Sequence, residues 1–171
     1  KNIEIILVND GSTDKSYSIC QEYAENDNRI VLLNQKNAGL AAARQAGLNQ
    51  ARGNYITFVD SDDWLELEMY QKMMDAANSV NADIVFCNVY RNESKKEKSY
   101  FPSGLYNRQE MERVIFPRLL AGFSSDSGEN TIRWCNWLRL YKKSLIDDNG
   151  ICFDKRFRRS QDLPFTFECT I

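Results

Sequence analysis

Three carboxylates fall within four positions at Asp60-Ser61-Asp62-Asp63, directly after the apolar stretch Tyr55-Ile56-Thr57-Phe58-Val59. Like charges this close repel one another unless a cation lies between them. A divalent Mg²⁺ or Mn²⁺ ion with oxygen ligands is the simplest candidate. Such an ion commonly takes one or two carboxylates and completes its shell with substrate phosphate oxygens. The cluster therefore points to a nucleoside diphosphate ligand rather than a closed metal cage. An EF-hand does not fit, because Trp64 stands at the fifth loop position and the loop glycine is missing. Asp63 is expected to cap the helix that follows.

Two other turns carry candidate groups. Asp10-Gly11-Ser12-Thr13-Asp14 ends the apolar run Ile3 to Val8. Asp10, set at that strand end, can accept hydrogen bonds from a ligand, while Ser12 or Thr13 can cap the next helix. Asn37-Ala38-Gly39 could let backbone amides approach a phosphate at a helix N-terminus. Neither a P-loop nor a dinucleotide fingerprint is present, since no Gly-Lys-Ser/Thr and no Gly-x-Gly-x-x-Gly occurs. The chain has no histidine. That excludes a Ser-His-Asp triad, a Cys-His pair and histidine-held zinc. Acid–base chemistry near neutral pH falls to carboxylates, lysine, tyrosine or cysteine.

These groups need a scaffold. Ile3 to Val8, Ile30 to Leu33, Tyr55 to Val59 and Asp83 to Tyr90 read as strands, with Tyr55 to Val59 buried on both faces. Helices are expected between them: one after Ser12 with Tyr17, Cys20, Tyr23 and Ala24 at helical spacing, then Leu40 to Arg52 and Glu66 to Val80. This alternation is the signature of an α/β fold with a parallel sheet and crossover helices. Ligands in such folds bind at the carboxyl ends of the strands. Beyond residue 90 the pattern is less regular. Arg91 to Ser99 reads as a solvated loop or hairpin turn, Asn107 to Leu120 as a helix capped by Asn107, Gly122 to Asn130 as a loop, and Lys142 to Asp148 as a short helix. Trp134 and Trp137 are either an acceptor-side stacking platform or core residues.

The 171 residues suffice for one domain, and 43% are hydrophobic. No apolar run approaches the roughly 20 residues of a membrane-spanning helix. A net charge of −2 without a basic block argues against nucleic acid as a partner. The five cysteines form no Cys-x-x-Cys pair and are expected as reduced core thiols, which suits a cytosolic compartment.

In order along the chain, four segments resemble family 2 glycosyltransferases: Val8-Asn-Asp-Gly-Ser-Thr-Asp14, Asn37-Ala-Gly-Leu-Ala-Ala-Ala-Arg44, Gly53-Asn-Tyr-Ile-Thr-Phe-Val-Asp-Ser-Asp-Asp63 and Trp137-Leu-Arg-Leu-Tyr-Lys-Lys-Ser-Leu145. The resemblance implies the GT-A fold, an α/β architecture with a mainly parallel central sheet flanked by helices. It implies a single domain over residues 1–171, with a nucleotide-sugar half at 1–90 and an acceptor-side half at 91–171. It also implies an inverting sugar transfer from a nucleotide-sugar donor, expected to be a UDP-sugar, to a carbohydrate or lipid-linked glycan acceptor. Mn²⁺ or Mg²⁺ would be the cofactor. The setting would be cytoplasmic, with peripheral association at the membrane face.

Site roles follow from the same resemblance. Asp10 matches the acid that binds the donor's base, usually uracil. Asp60 and Asp62 match an Asp-x-Asp motif, with Asp60 near the donor ribose or pyrophosphate, Asp62 on the metal, and Ser61 among the donor-binding residues beside Asn37 and Gly39. Gln161-Asp162 stands where the family often has Glu-Asp, which makes Asp162 the expected general base. Arg44 is expected either to neutralise the donor or to pair with a core carboxylate. Family members begin with a further central strand ending in Pro-x-Tyr-Asn, and they continue past the residues after Asp162. Neither feature has a match here, so a fragment is expected, with the strands beside the absent one left unpaired. Two other functions share parts of this pattern: a nucleotidyltransferase and a non-catalytic nucleotide-sugar-binding fragment. A glycoside hydrolase, which uses two facing carboxylates, would not need nucleotide-type strand ends.

Overall fold

The computed structural model describes residues 3–91, 96–98, 102–117, 136–157 and 161–170. In chain order the first half runs β1 (Ile5–Asp10), α1 (Ser16–Asn26), β2 (Ile30–Gln35), α2 (Leu40–Gln50), β3 (Tyr55–Ile56), α3 (Met69–Val80) and β4 (Ile84–Phe86). A small hairpin follows from β5 (Val89–Arg91) and β6 (Lys96–Lys98). Then come α4 (Arg108–Glu110), which continues as a π-helical turn over Met111–Ile115, a 3₁₀ turn at Asn136–Leu138, β7 (Arg139–Lys142), α5 (Lys143–Asp148) and α6 (Asp162–Thr170).

The expected α/β alternation is present. β1 and β2 pair in parallel through the α1 crossover, in a register that sets Asn9 opposite Asn34 and Asp10 opposite Gln35. In a second sheet β7 lies between β3 and β4 and is antiparallel to both, so β3 and β4 run parallel to each other. Among the described residues β1 pairs only with β2, and β3 only with β7. Each therefore has one edge without a strand partner among the described residues.

Several boundaries differ from the sequence expectation. The strand expected over Tyr55 to Val59 is laddered to β7 only at Tyr55 and Ile56, opposite Lys142 and Tyr141. It is not buried on both faces either, since Val59 is 49% exposed. The strand expected over Asp83 to Tyr90 is two short strands, β4 and β5. Neither Ser12 nor Thr13 caps α1; the Ser16 amide instead donates to Asp14 Oδ1 at 2.9 Å. Helix α3 begins at Met69, not Glu66, and its N-cap Glu68 makes no capping bond. Asp63 therefore does not cap it. Its amide closes a turn by donating to the Asp60 carbonyl at 3.1 Å. Asn107 does cap α4, with a full capping box: its side chain accepts from the Glu110 amide, and the Glu110 carboxylate accepts from the Asn107 amide. The loop expected over Gly122 to Asn130 lies outside the described residues.

The larger core gathers Ala41, Leu48, Ile56, Tyr141, Ile146, Ile151, Phe153, Phe165 and Cys169. Its aromatic centre has Phe153 stacked on Phe165 at 4.1 Å, with Phe58 edge-on to both. Alanines let α2 approach closely: Ala41, Ala42 and Ala43 are buried, and a side chain at Gly47 would meet Val8 at 3.4 Å. Glu4 closes the far end of α2 by accepting from the Arg52 and Gly53 amides. A smaller cluster packs Met73 and Ala77 of α3 on Leu140. No helix among the described residues is long and apolar enough to cross a membrane.

The expectation of core thiols holds for Cys169 alone among the described cysteines: Cys20 and Cys87 are half-buried, Cys152 is exposed, and Cys135 lies outside the described residues. Burial pushes the Cys87 thiol up to about 11 and the Cys169 thiol up to about 12. Alkylation of the native protein at pH 8, read by peptide mapping, should therefore mark Cys152 and leave Cys87 and Cys169 unmodified until the chain is unfolded. Rapid native labelling of Cys169 would contradict this packing.

Candidate functional site

The first candidate, Asp10, ends β1 and is tied to the β2–α2 loop. Its Oδ1 accepts from Gln35 Nε2 at 2.7 Å and from the Ala38 amide at 2.9 Å; its Oδ2 accepts from the Gly39 amide at 2.8 Å. Partial burial works against the charge, but these three bonds outweigh it and hold the carboxyl below its usual range. Of the amides expected to meet a phosphate at Asn37-Ala38-Gly39, those of Ala38 and Gly39 are thus given to Asp10 in this structure. A phosphate there would have to compete with a carboxylate, and the loop acts as a brace. The turn depends on glycine. Gly11 has φ +72°, and a Cβ there would lie 2.6 Å from the Asn37 amide nitrogen. Gly39, the residue before α2, has φ +86°.

Beside this brace lies an open groove at the carboxyl ends of β1 and β2. Asn9, Thr13, Asp14, Tyr17, Asn34 and Lys36 are among its lining residues. Asn9 Nδ2 donates to Asn34 Oδ1 at 2.7 Å, which fixes the groove's floor.

The second centre is organised by Arg44 on α2. Its side chain is only 8% exposed. Nη2 donates to Asp60 Oδ1 at 2.6 Å, and Nη1 pairs with Asp162 Oδ1. The guanidinium also sits 6.0 Å from the centre of the Phe153 ring. Of the two roles expected for Arg44, pairing with a carboxylate is the one seen, and it is met twice. Asp60, in the segment just after β3, and an acid 102 residues later in the chain are thereby brought onto one cation.

Asp162 is the first residue of α6, where the helix dipole favours a negative side chain. Asn136, fully buried at the start of the 3₁₀ turn, donates from Nδ2 to Asp162 Oδ1 at 3.3 Å and from its amide to Oδ2 at 3.5 Å. Asn136 Oδ1 in turn accepts from the Tyr141 hydroxyl and the Thr166 hydroxyl, each at 2.9 Å. Tyr141 is wholly buried, and that burial pushes its phenol far above the usual range, so it acts as a neutral hydroxyl.

Asp62 makes no hydrogen bond or ion pair with the described residues, in contrast to Asp60. Asp63 has its carboxyl pushed up, first by burial and then by the charges of Asp62 and Asp60. Among the described residues, Asp62 and Asp63 of this segment therefore have no cationic partner. No group of three or more His, Cys, Asp or Glu side chains among the described residues is arranged to hold a metal ion. An oxygen set of one or two carboxylates, completed by a ligand's own phosphates, does fit a hard divalent ion, with Asp62 as the available donor.

The structure thus brings Asp60 and Asp162 together through Arg44, with Asp62 two residues from Asp60. It holds Asp10 with Ala38 and Gly39 in a separate brace. Trp134 lies outside the described residues, and Trp137 belongs to the 3₁₀ turn. Asn136 and Gln35 were not among the sequence candidates. The available signal for Asn136 was an isolated amide within the apolar run Trp134-Cys-Asn-Trp-Leu138. A buried amide must find partners.

A family model for glycosyl transferase family 2 matches residues 1–147. The glycosyltransferase EpsJ of Bacillus subtilis, itself uncharacterised, is 37% identical over 96% of this chain and 46% of its own length. The glycosyltransferase GlyA of Streptococcus pneumoniae is 50% identical over 86% of this chain and 21% of its own. The chain spans less than half the length of these relatives. Among solved structures, S. aureus TarS in complex with UDP-GlcNAc superimposes with a TM-score of 0.67 at 20% identity, over 98% of this chain and 44% of that one. TarS has also been solved with UDP. At that identity the likeness bears on the fold alone, which is that of GT-A glycosyltransferases.

The brace generates two predictions. Gly11→Ala should destabilise the intact protein by about 1–3 kcal/mol, measured by chemical denaturation, because it adds backbone strain and a contact with Asn37. Asp10 has a depressed folded pKa, so its stabilising contribution is present above the ordinary carboxylate range and lost as pH falls through the folded value. The melting-temperature gap between wild type and Asp10→Asn should be full at pH 7 and narrow as pH falls below about 4. A gap constant down to pH 2 would contradict the brace.

Proposed function

This chain belongs to glycosyl transferase family 2, and we propose that it transfers a sugar with inversion from a UDP-sugar to a hydroxyl of a carbohydrate or lipid-linked glycan acceptor. The observation that carries this reading is the pairing of Asp60 and Asp162 on one buried guanidinium, beside an Asp62 that has no partner among the described residues. A donor-side acid and a candidate base are thereby held at one place. The UDP and UDP-GlcNAc complexes of TarS, a protein of the same fold, support the choice of donor.

In this reading Asp10 and its braced loop flank the donor's base, with Asn37 and Gly39 shaping the loop and Ser61 beside the diphosphate. Asp60, oriented by Arg44, lies toward the ribose or pyrophosphate. Asp62 would hold a Mn²⁺ or Mg²⁺ ion, which when bound offsets the negative charge growing on the departing diphosphate. The acceptor oxygen attacks the anomeric carbon from the side opposite the diphosphate. As the new C–O bond forms, the bond to the diphosphate oxygen breaks and its electron pair leaves with UDP. Asp162 takes the acceptor's proton in that step. No general acid is required, because UDP departs as an anion. The mechanism therefore suits a chain without histidine.

The test uses the full-length protein. Asp62→Ala should abolish the Mn²⁺-dependent part of UDP binding measured by calorimetry. Asp162→Asn should leave UDP affinity in place and lower turnover by about 10²–10⁴-fold. Unchanged metal-dependent binding in the first variant would remove Asp62 from the metal. Undiminished turnover in the second would place the base elsewhere.

A further inference from the structure

The two oxygens of Asp162 stand in different environments. Oδ1 receives both the Arg44 guanidinium and the Asn136 side-chain amide, the latter at 3.3 Å. Oδ2 has one contact with the described residues, the long 3.5 Å approach of the Asn136 backbone amide. The carboxylate is also not sealed off, since its side chain is 18% exposed. Asn136 cannot turn its amide over without loss. Its Oδ1 is the acceptor for two buried hydroxyls, Tyr141 and Thr166, and a flipped amide would take that acceptor away and set its oxygen against the Asp162 carboxylate, acceptor facing acceptor. Those hydroxyls also lie 3.2 Å from each other, so the three side chains form one closed, buried unit.

We propose that Asn136 is a positioning residue for the base: with Arg44 it pins Asp162 Oδ1, leaving Oδ2 as the oxygen that takes the acceptor's proton. Tyr141 and Thr166 hold Asn136 in the one amide orientation that does this. The inference rests on the reading of Asp162 as the base and adds which oxygen works and what fixes it. Asn136 is fully buried behind Asp162, so it touches neither donor nor acceptor. Its influence should therefore fall on turnover and not on donor binding. Arg44 is less useful as a probe, because it also holds Asp60 on the donor side.

The experiment measures UDP release from UDP-GlcNAc, UDP-glucose and UDP-galactose by the full-length protein with Mn²⁺, together with UDP affinity by calorimetry. Asn136→Ala should lower kcat by roughly 10–100-fold through misplacement of the carboxylate, with UDP affinity unchanged. Tyr141→Phe keeps the ring in the core and removes only the hydroxyl. It should lower kcat in the same direction by less, again without changing UDP affinity, and it carries the test if Asn136→Ala does not fold. Wild-type kcat in the folded variants would overturn the inference, as would a loss of UDP affinity in step with kcat. Failure of the underlying reading looks different. The unsubstituted protein would then release no UDP from any of the three donors, and the inference would fall with it.

Discussion

One buried cation, Arg44, joins parts of the chain that are otherwise independent. It reaches an acid 16 residues away in sequence and another 118 residues away. A buried guanidinium without partners would be strongly destabilising, and removing one partner of a buried pair typically costs about 3–5 kcal/mol. Asp60 is 35% exposed, so its share is reduced by solvent screening. The two acids are therefore unequal partners: Asp162 is the more enclosed anchor, and Asp60 stands at the rim. The same arrangement leaves charge over. Asp62 has no hydrogen-bond or ion-pair partner among the described residues, and Asp63 feels both burial and its acidic neighbours. A segment in that condition is suited to receiving a cation together with a ligand that brings its own oxygens.

The scaffold places this cation through ordinary packing. Alanines on α2 bring the helix close to β1, and Phe153 lies beneath the guanidinium. Phe153 stacks on Phe165 of α6, the helix that Asp162 begins. The base candidate and the floor under its partner thus belong to one aromatic core. On the other side, the β1–β2 register sets Asp10 against Gln35 and brings the loop before α2 within reach of the same carboxylate. Both acidic centres consequently abut the N-terminal part of α2, that of Asp10 through Gly39 and that of Asp60 and Asp162 through Arg44.

How much of this could be read from the sequence follows from the range of the interactions. Asp10, Asp60 and Asp62 were legible because each stands at an apolar run's carboxyl end, a local pattern. Asp162 was legible only through family resemblance, since nothing near it distinguishes it from a surface acid. The partner of Arg44 was not legible, because an alanine-rich helix does not say which residue 118 positions later will face it. Asn136 was missed for the same reason. Strand ends were overestimated where apolar residues outlast their ladder, as at Val59, which lies beyond the last laddered residue, Ile56, among the described residues. The antiparallel insertion of β7 between β3 and β4 had no local signature either, because strand direction is a property of the pair. Helix starts were misplaced at Ser12 and Glu66, where capping-type residues occur without capping geometry; Asn107, with Glu110 three residues on, was placed correctly.

The most direct measurement is a structure of the full-length protein with UDP and Mn²⁺ bound. Arg44 should still bridge Asp60 and Asp162, with Asp62 on the ion at the diphosphate and Asp162 Oδ2 facing the open acceptor side. A bound diphosphate remote from Asp62, or Arg44 drawn away from Asp162 onto the nucleotide, would contradict the proposed division of work among these acids.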